Sequence, residues 1–536
     1  MRHTISLNKW TFSIDALNYQ KEITVPHTWN VADEVMHYRG TAKYQTTVMI
    51  EEALNESVVY ITFNSVYHSA DVLINGTLAG SHKGSGYTPF EFNITELLHF
   101  GAKNTIEVIA DNTHIAETLP HGDDFDWADD GGIIRKVQLR FLPKDGIRFL
   151  HAAAEIHEIT ENLCSGNLLL QTAFEDGAPK AGSLSVYDHS DGKKVLSREF
   201  DSIEGSILLP FKDLKLWSPS SPNLYRVELE TANDHYEIRT GLRKIETRGT
   251  SIYLNNQEIY LKGCEWMPGS HPDFGMAEPL GHSIKCLRQL KDSGCNFTRF
   301  HWQQDASLFD WCDENGLLVQ EEIPYWGCPK EATDLQLSIA KKQADEMVYF
   351  HKNHPSIVFW GVGNELGATA PSTIDYVEKM VAYFKALDAG RLVNYVSNTV
   401  SLVQNAEADD ATLHGDIAMW NEYLGLWEPT DDIKAHIIRT AAKCADMPLV
   451  ITEFGLCEPH FEGGDARRCE ILKERMEIYP EISNLKGYVW FSLNDYRTHM
   501  GEEGEGKMKQ RVHGSTDLYG NEKPSYQLFK KLNQSL

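Results

Sequence analysis

The first 243 residues contain short stretches in which apolar and polar side chains alternate, with turn residues between them. Residues 58–63 and 70–74 are two examples, and the second is followed directly by Asn75 and Gly76. Alternation with a period of two, broken by such turns, is typical of antiparallel sheets that have one buried face. We predict two β-sandwich domains, one over residues 1–142 and a smaller one over residues 143–243.

The pattern changes after Ile245, where apolar runs alternate with amphipathic helical stretches such as residues 284–292 and 337–350. This alternation predicts parallel strands joined by helices. Eight candidate strands over roughly 280 residues fit a (β/α)8 barrel, or TIM barrel, which we assign to residues 244–536. The candidate strands are residues 259–263, 296–300, 317–321, 356–362, 393–397, 414–420, 449–453 and 487–491.

Two of the predicted barrel strands run into a glutamate, Glu365 and Glu453, where such strands meet solvent. A βαβ step takes roughly 30 residues, so a spacing of 88 residues (453 − 365) places the second glutamate about three strands further on, across the barrel mouth. Two carboxyl groups that face each other over a pocket can cleave a glycosidic bond. The alternative is that each glutamate is ion-paired or caps a helix, which explains one of them better than both.

Charge and composition narrow the choice of partners. The chain has 50 Lys and Arg against 77 Asp and Glu residues, a formal net charge of −27. This excess of negative charge disfavours nucleic acid and anionic membrane surfaces as partners and favours a neutral or polar small substrate. The sequence has no apolar run of membrane-spanning length and no apolar leader, and its nine cysteines form no CxxC pair. We therefore expect a cytoplasmic protein with reduced cysteines.

Several short motifs, taken in their order along the chain, resemble glycoside hydrolase family 2, the family of β-galactosidases, β-glucuronidases and β-mannosidases. The resemblance covers essentially the whole chain. It implies a jelly-roll sugar-binding domain, an immunoglobulin-like β-sandwich and a catalytic TIM barrel. The motifs include Val-Pro-His-Thr-Trp-Asn at 25–30, Leu-Trp-Ser-Pro at 216–219, His-Pro-Ser-Ile at 354–357, Gly-Asn-Glu at 363–365 and Thr-Glu-Phe-Gly at 452–455.

The resemblance implies a retaining mechanism with Glu453 as nucleophile and Glu365 as general acid/base. Retention requires the two carboxyl groups to lie about 5 to 5.5 Å apart. Asn364 matches the family residue that hydrogen-bonds the sugar 2-hydroxyl, although a helix cap is its alternative role. Tyr423 matches the tyrosine that hydrogen-bonds the nucleophile, and the alternative for it is packing at the barrel rim.

Four further residues are candidates for substrate binding. Trp490, at the end of the eighth predicted strand, suits a platform for a sugar ring, with a buried core position as the alternative. His301 matches a histidine of the second barrel strand, but the family has arginine three residues before it, whereas Arg299 here is two before. Asp126 matches an aspartate that the first domain sends into the barrel pocket.

Our prediction of which sugar the protein binds depends on Asp517. β-Glucuronidases of the family hold the substrate carboxylate with an Asn-x-Lys motif, and Ser515 and Asp517 stand at the corresponding positions here. A carboxylate facing a carboxylate is repulsive, which favours a neutral sugar. We therefore expect an exo-β-galactosidase that removes a terminal non-reducing sugar.

Other interpretations stay open at this point. Lys507, Lys509 and Arg511 could receive an acid, which keeps a β-glucuronidase or β-galacturonidase as an alternative. The segment 264–272 is closer to the mannosidase pattern than to the galactosidase pattern. A noncatalytic carbohydrate-binding protein is the alternative from another functional class.

The resemblance also bears on cofactors and partners. Some family members bind magnesium or sodium near the active site, but no cluster in this sequence has the ligand spacing for such an ion. We predict that no metal is required. The expected partner is an oligosaccharide or a β-glycoside, and self-association is a further expectation because family relatives are often dimers or tetramers.

Overall fold

The first domain of the computed structural model is a sandwich of two antiparallel sheets. The structure describes residues 2–122, 125–402, 409–499 and 509–535. One sheet has the order β1-β10-β5-β8 and the other β3-β2-β4-β9-β6-β7, and the inward-facing side chains form one apolar core between them. The strands are β1 (His3–Ser6), β2 (Lys9–Ile14), β3 (Tyr19–Thr24), β4 (Thr41–Met49), β5 (Ser57–Phe63), β6 (Ser69–Ile74), β7 (Thr77–His82), β8 (Phe90–Asn93), β9 (Lys103–Asp111) and β10 (Val137–Pro143).

The second domain is a smaller sandwich with its own apolar core. Its sheets have the orders β11-β12-β15 and β14-β13-β18-β19, and a two-stranded pair, β16-β17, leads into the last hairpin. The strands are β11 (Ile147–Thr160), β12 (Leu163–Phe174), β13 (Lys180–Asp188), β14 (Lys194–Ile203), β15 (Gly205–Lys215), β16 (Trp217–Ser218), β17 (Ser221–Pro222), β18 (Tyr225–Thr231) and β19 (His235–Thr240).

The third domain contains a closed barrel of eight parallel strands, preceded by a three-stranded antiparallel sheet. The predicted fold class is therefore confirmed, and each of the eight predicted strand ranges overlaps a barrel strand. The small sheet comprises β20 (Ile245–Arg248), β21 (Ser251–Leu254) and β22 (Gln257–Ile259). The barrel comprises β23 (Leu261–Cys264), β24 (Phe297–Phe300), β25 (Leu318–Glu322), β26 (Ile357–Asn364), β27 (Leu392–Ser397), β28 (Ala418–Asn421), β29 (Leu449–Glu453) and β30 (Leu485–Trp490).

Helices pack around the outside of the barrel, as expected for parallel strands that are buried on both faces. None of the helices in the described ranges is both long and apolar enough to cross a membrane. A short pair of strands, β31 (Tyr496–Arg497) and β32 (Gln510–Arg511), follows the barrel. The helices are α1 (Leu280–Asp292), α2 (Ala306–Asn315), α3 (Asp334–His351), α4 (Pro371–Leu387), α5 (Ile433–Lys443), α6 (Gly464–Ile478) and α7 (Pro524–Ser535).

Apolar side chains fill the lower half of the barrel, at the end where the strands begin. Leu261, Phe297 and Leu318 from the starts of three strands form one buried cluster with Ile252 and Leu254 of the small sheet. The small sheet therefore closes this end of the barrel. The opposite end, where the strands finish, stays open for polar side chains, which is the usual location of a TIM-barrel active site.

The first domain is tied to the barrel by buried polar contacts. Arg135 donates to the backbone carbonyl of Gln303 over 2.6 Å, and Asn64 donates to Asp305 over 2.8 Å. Two contacts of this kind fix the first domain beside the barrel mouth. Residues on its loops can therefore take part in a site at the ends of the barrel strands.

Candidate active site

Glu365 follows the last residue of β26 at the open end of the barrel. Its backbone has φ 54°, in the left-handed region that residues other than glycine rarely adopt, and the pairing of β26 with β27 is irregular just before it. The side chain is half-buried and accepts a hydrogen bond from Asn421 Nδ2 over 2.6 Å. Burial, and to a lesser extent the negative charge of Glu453, raises the pKa of Glu365 to about 7.

Glu453 is the last residue of β29 and has a much more crowded environment. The residue is only 5% exposed. Oε1 accepts a hydrogen bond from Arg299 Nη1 over 2.8 Å, and Oε2 accepts one from the Tyr423 hydroxyl over 2.8 Å. Burial, reinforced by the neighbouring Glu453, raises the pKa of Tyr423 well above its usual value, so its hydroxyl stays protonated and can donate. Charged and neutral donors thus hold the Glu453 carboxylate in one orientation.

Arg299 is the centre of a buried charge cluster at the bottom of the site. Its guanidinium donates to both oxygens of Glu322, over 2.9 and 3.2 Å, to Glu265 over 3.3 Å, and to Asn364 Oδ1 over 2.8 Å, in addition to Glu453. Burial alone would lower the pKa of Arg299, but the surrounding carboxylates outweigh it and the net pKa is raised. Arg299 therefore donates hydrogen bonds to three buried glutamates.

His301 completes this cluster. Its Nε2 lies 3.3 Å from Glu265 Oε1 and 3.4 Å from Glu453 Oε1, and its ring stacks on Trp127 of the first domain at 5.7 Å. Burial lowers the pKa of His301, but Glu265 and the other carboxylates raise it by more, so the net pKa lies above the usual value. His301 therefore lies in the pocket wall, whereas Arg299 is fully buried and is not among the pocket-lining residues; both contact Glu453.

Three of these side chains also have the geometry of a metal site. Ligand atoms of Glu265, His301 and Glu453 lie within 4.8 Å of one another. Arg299 already donates to both glutamates, so a metal ion would have to share the same oxygens with a fixed positive charge. The donor set therefore fits a metal poorly, and the absence of a metal requirement stays a prediction.

Asn364 is the last residue of β26, directly before Glu365, and is fully buried. Its Oδ1 accepts hydrogen bonds from Arg299 and from Asn421 Nδ2, the latter over 3.1 Å. Its own Nδ2 has no hydrogen-bond partner among the described residues. An unmatched buried donor is costly, so this amide is suited to a further acceptor.

A pocket of about 500 Å³ opens above this cluster. The candidate residues Glu365, Glu453, Tyr423, His301 and Asp126 all contribute to its walls. The other lining residues are Trp127, Met267, Trp326, Asn398, Thr399, Leu402, Asn421, Trp427, Glu428, Cys457, His460, Phe491, Tyr496, Arg511 and His513.

Asp126 reaches the barrel pocket from the first domain. Its carboxylate accepts hydrogen bonds from Arg511 Nε over 3.1 and 3.2 Å, from the Tyr496 hydroxyl over 3.1 Å and from Thr498 over 2.9 Å. These donors come from the segment after the last barrel strand. The first domain and this segment together close one side of the pocket.

Trp490 does not take the predicted position as a sugar platform. It is fully buried, its indole donates to Ser515 Oγ over 2.7 Å, and its ring packs against Phe454 and Phe529. The preceding residue, Val489, points into the barrel instead. Side chains alternate along a strand, so Trp490 faces the outer helices and has no free ring face for a sugar.

Asp517 also lies apart from the pocket-lining residues. Its carboxylate accepts hydrogen bonds from the backbone of Tyr519 and Asn521 and from the Asn521 side chain, all within its own turn. Ser515 is buried beneath Trp490. The argument for a neutral sugar that we based on Asp517 is therefore wrong, because neither side chain faces the substrate. Lys507, named with the alternative, lies outside the described residues.

Sequence reasoning missed several residues of the site. Glu265 and Glu322 each lie at the end of a barrel strand, which is the same signal that pointed to Glu365 and Glu453. Asn421 ends β28 and contacts Glu365. Tyr496 lies in the two-residue strand β31 and Trp427 in a loop, and no periodic pattern marks either of them.

Comparisons with known proteins agree with this architecture. Three family models match in order: "Glycosyl hydrolases family 2, sugar binding domain" over residues 5–143, "Glycosyl hydrolases family 2" over residues 160–243, and "Glycosyl hydrolases family 2, TIM barrel domain" over residues 245–479. The chain therefore belongs to glycoside hydrolase family 2. The predictions of this family and of a glycoside hydrolase are confirmed.

Two curated relatives differ in their sugars. A β-galactosidase of Thermoanaerobacterium thermosulfurigenes is 30% identical over 68% of this chain, which spans 54% of that protein. A β-glucuronidase of Streptococcus agalactiae is 26% identical over 92% of this chain and 90% of its own length. Among solved structures, a family 2 β-galacturonidase from Eisenbergiella tayi bound to galacturonate has a TM-score of 0.84 at 24% identity, covering 100% of this chain and 98% of that chain.

Proposed function

We propose that the protein is a retaining exo-β-glycosidase in which Glu453 is the nucleophile and Glu365 the general acid/base. The observation that supports this most directly is the contrast between the two carboxyl groups at one pocket. Glu453 is held by Arg299 and Tyr423, while burial and the charge of Glu453 raise the pKa of Glu365 to about 7. Such a pair supplies an ionised nucleophile and a protonated acid at neutral pH.

In the first step, Glu453 attacks the anomeric carbon while the bond from that carbon to the leaving oxygen breaks. Glu365 gives its proton to this oxygen, which departs as an alcohol. The sugar is then an ester of Glu453. In the second step, Glu365 takes a proton from water as the water oxygen attacks the anomeric carbon and releases Glu453, so both glutamates return to their starting states.

Asn364, Arg299 and His301 lie where they can assist this reaction. The unmatched Asn364 amide suits the sugar 2-hydroxyl, whose hydrogen bond strengthens as positive charge develops on the ring. Asn364 is fully buried and does not line the pocket, so this contact requires its side chain to be uncovered when the substrate binds. Arg299 and His301 lie against Glu453, and the hydrogen bond from Arg299 orients its carboxylate. The reaction so described needs no metal. The side of the pocket that is closed by Asp126 and Tyr496 suits a terminal sugar, and thus exo action.

Galactose remains our first candidate for the sugar, now on different grounds. Arg511 is the cation nearest to Asp126 in the pocket wall, and that carboxylate already accepts its Nε hydrogen bond. Glu428 adds a further carboxyl group to the lining. A substrate carboxylate would have to compete with Asp126 for Arg511, whereas sugar hydroxyls can bond to both.

A β-glucuronidase or β-galacturonidase is the second candidate. Arg511 is placed where it could receive a carboxylate if Asp126 turned away, and the streptococcal β-glucuronidase matches nearly the full chain. A β-mannosidase and a noncatalytic sugar-binding protein rest on weaker grounds, since the first has only the segment 264–272 in its favour and the second gives no role to two opposed glutamates.

A panel of nitrophenyl β-glycosides tests the proposal. We expect kcat/KM for the galactoside to exceed that for the glucuronide, galacturonide, mannoside and glucoside by about tenfold or more. If a uronide is instead the best substrate, Arg511→Gln should lower its turnover by about 100-fold and leave the galactoside little changed. Arg248→Gln, on an exposed hairpin, is the matched control. Sugar binding without turnover of any glycoside would contradict hydrolysis.

A further inference from the structure

The two sides of the pocket differ in chemistry. Around the barrel, β27 and β28 lie between the strand that leads to Glu365 and the strand that ends in Glu453, whereas β23, β24, β25 and β30 lie on the other side. The loops after β30, with the arm from the first domain, supply Asp126, Tyr496 and Arg511. The loops after β27 and β28 supply Leu402 and Trp427. We call the first the polar side, because its apolar groups Trp127, Met267 and Phe491 are almost fully buried. We call the second the apolar side, because Leu402 and Trp427 are exposed there, beside the polar side chains of Asn398, Thr399 and Glu428.

Trp427 and Leu402 are unusually exposed for their size. Trp427 is 52% exposed and Leu402 is 54% exposed, although both line a pocket. Apolar side chains scattered singly over a surface need no explanation, but two at the mouth of a functional pocket mark a surface that a ligand can cover. Burying them on binding would be favourable.

The Trp427 ring is held in place before any ligand binds. Its ring centroid lies 4.9 Å from that of His460 and 4.8 Å from that of Phe461, both in edge-on geometry. An aromatic face fixed by two neighbours loses little conformational freedom when it is covered, so contact with it contributes more to affinity.

We propose that Trp427 and Leu402 form the subsite for the leaving group, and that this leaving group is an aromatic aglycone. The inference rests on the proposed function, because the position of Glu365 and Glu453 fixes where the glycosidic bond lies. The hydroxyl groups of the sugar are matched by the polar side. The leaving group then extends over the opposite side, where a flat ring can stack on the indole.

Glu428 narrows the chemistry of this aglycone. It lines the same side of the pocket and accepts a hydrogen bond from Ser401. A carboxyl group beside the subsite disfavours an anionic leaving group. The exposed apolar surface of Trp427 and Leu402 favours an arene over a more polar second sugar.

Binding of thioglycosides, which resist hydrolysis, tests the subsite without depending on turnover. The ligands are the phenyl and methyl 1-thio-β-D-galactosides and the corresponding glucuronides, titrated into the full-length protein by calorimetry. We expect the phenyl ligand to bind about 10 to 50 times more tightly than the methyl ligand of the same sugar. In Trp427→Ala this ratio should fall to about threefold or less, with the affinity for the methyl ligand unchanged. Trp427→Phe should keep most of the ratio.

Leu402→Ala should lower the ratio by about threefold. Leu208→Ala, which removes an equally exposed leucine of the second domain (52% exposed), should leave it unchanged. The proposal is overturned if the wild-type protein binds the phenyl and methyl ligands equally, or if it binds no phenyl thioglycoside. It is also overturned if Trp427→Ala weakens the binding of both ligands by the same factor, because Trp427 would then contact the sugar. A phenyl preference without turnover of any glycoside would contradict the proposed hydrolysis and leave the subsite standing.

Discussion

Glu453 and Glu365 are the same side chain at equivalent ends of two barrel strands, yet their surroundings differ. Glu453 receives hydrogen bonds from Arg299 and Tyr423 and lies beside His301. Among the described residues, Glu365 receives one side-chain hydrogen bond, from the neutral amide of Asn421. The first environment holds the carboxylate with several donors, and the second leaves burial and the nearby negative charge of Glu453 as the main influences on the pKa of Glu365.

This difference shows how one fold assigns two chemical roles to one residue type. A retaining glycosidase needs one carboxyl group ionised and the other protonated at the same pH. The barrel achieves this asymmetry with the position of a single arginine on β24, which lies against one glutamate and not the other. Variants of each glutamate therefore test whether the two environments correspond to two roles.

Removal of the proposed nucleophile should have the largest effect. We expect Glu453→Ala to lower kcat by on the order of 10⁴-fold or more, since no covalent intermediate can form. Sodium azide should restore part of the activity and yield a glycosyl azide, because the small anion can enter the space left by the carboxylate. Product analysis and kcat measured with and without azide check this.

The matched control for this variant is Glu470→Ala, which removes an exposed glutamate on α6 away from the pocket. It should keep wild-type activity. If Glu453→Ala kept more than a tenth of the activity, Glu453 would not be the nucleophile.

Removal of the proposed acid should have a smaller effect that depends on the leaving group. We expect Glu365→Gln to lower kcat/KM by about 10³-fold for a methyl β-glycoside, whose leaving oxygen needs a proton. The glycosyl fluoride of the same sugar needs far less protonation and should lose less than about tenfold. Equal losses on the two substrates would argue against an acid role for Glu365 and for a general effect on the pocket.

The pH dependence of the wild-type enzyme should show the smallest effect. The pKa of Glu365 is raised to about 7 by burial, so the protonated acid is present below this pH and is lost above it. We expect kcat/KM for the methyl glycoside to fall about tenfold per pH unit above about pH 7. Glu365→Gln should abolish this alkaline decline, as measured by a pH series on both proteins. A decline that persists in the variant would assign it to another group.

Much of the site follows from local pattern. Glu365 and Glu453 each follow a buried run at the position where a barrel strand reaches solvent, and this depends only on a few neighbouring residues. The same rule applies to Glu265, which directly follows β23, and to Glu322, which ends β25. Local pattern could therefore have placed all four glutamates at the barrel mouth, although it does not say which of them face substrate and which neutralise Arg299.

The two wrong assignments have separate physical causes. All residues near the end of β30 are buried, so the sequence contains no polar alternation to show that Val489 faces inward and Trp490 outward. Asp517 is followed by a turn whose backbone amides it binds, a local use of aspartate that competes with any role in a pocket. Similarity to a motif position could not show where either side chain points.

The sequence by itself determined the order of domains, the eight-stranded barrel and the location of the two glutamates, because hydrophobic periodicity and strand ends are properties of short segments. The tertiary structure decided which groups meet. Asp126 and Arg511 are 385 residues apart in the chain and share a hydrogen bond, and Arg299 lies 154 residues from Glu453. Contacts of this range depend on barrel closure and domain docking, so the pKa of Glu365 and the polar and apolar sides of the pocket exist only in the folded chain.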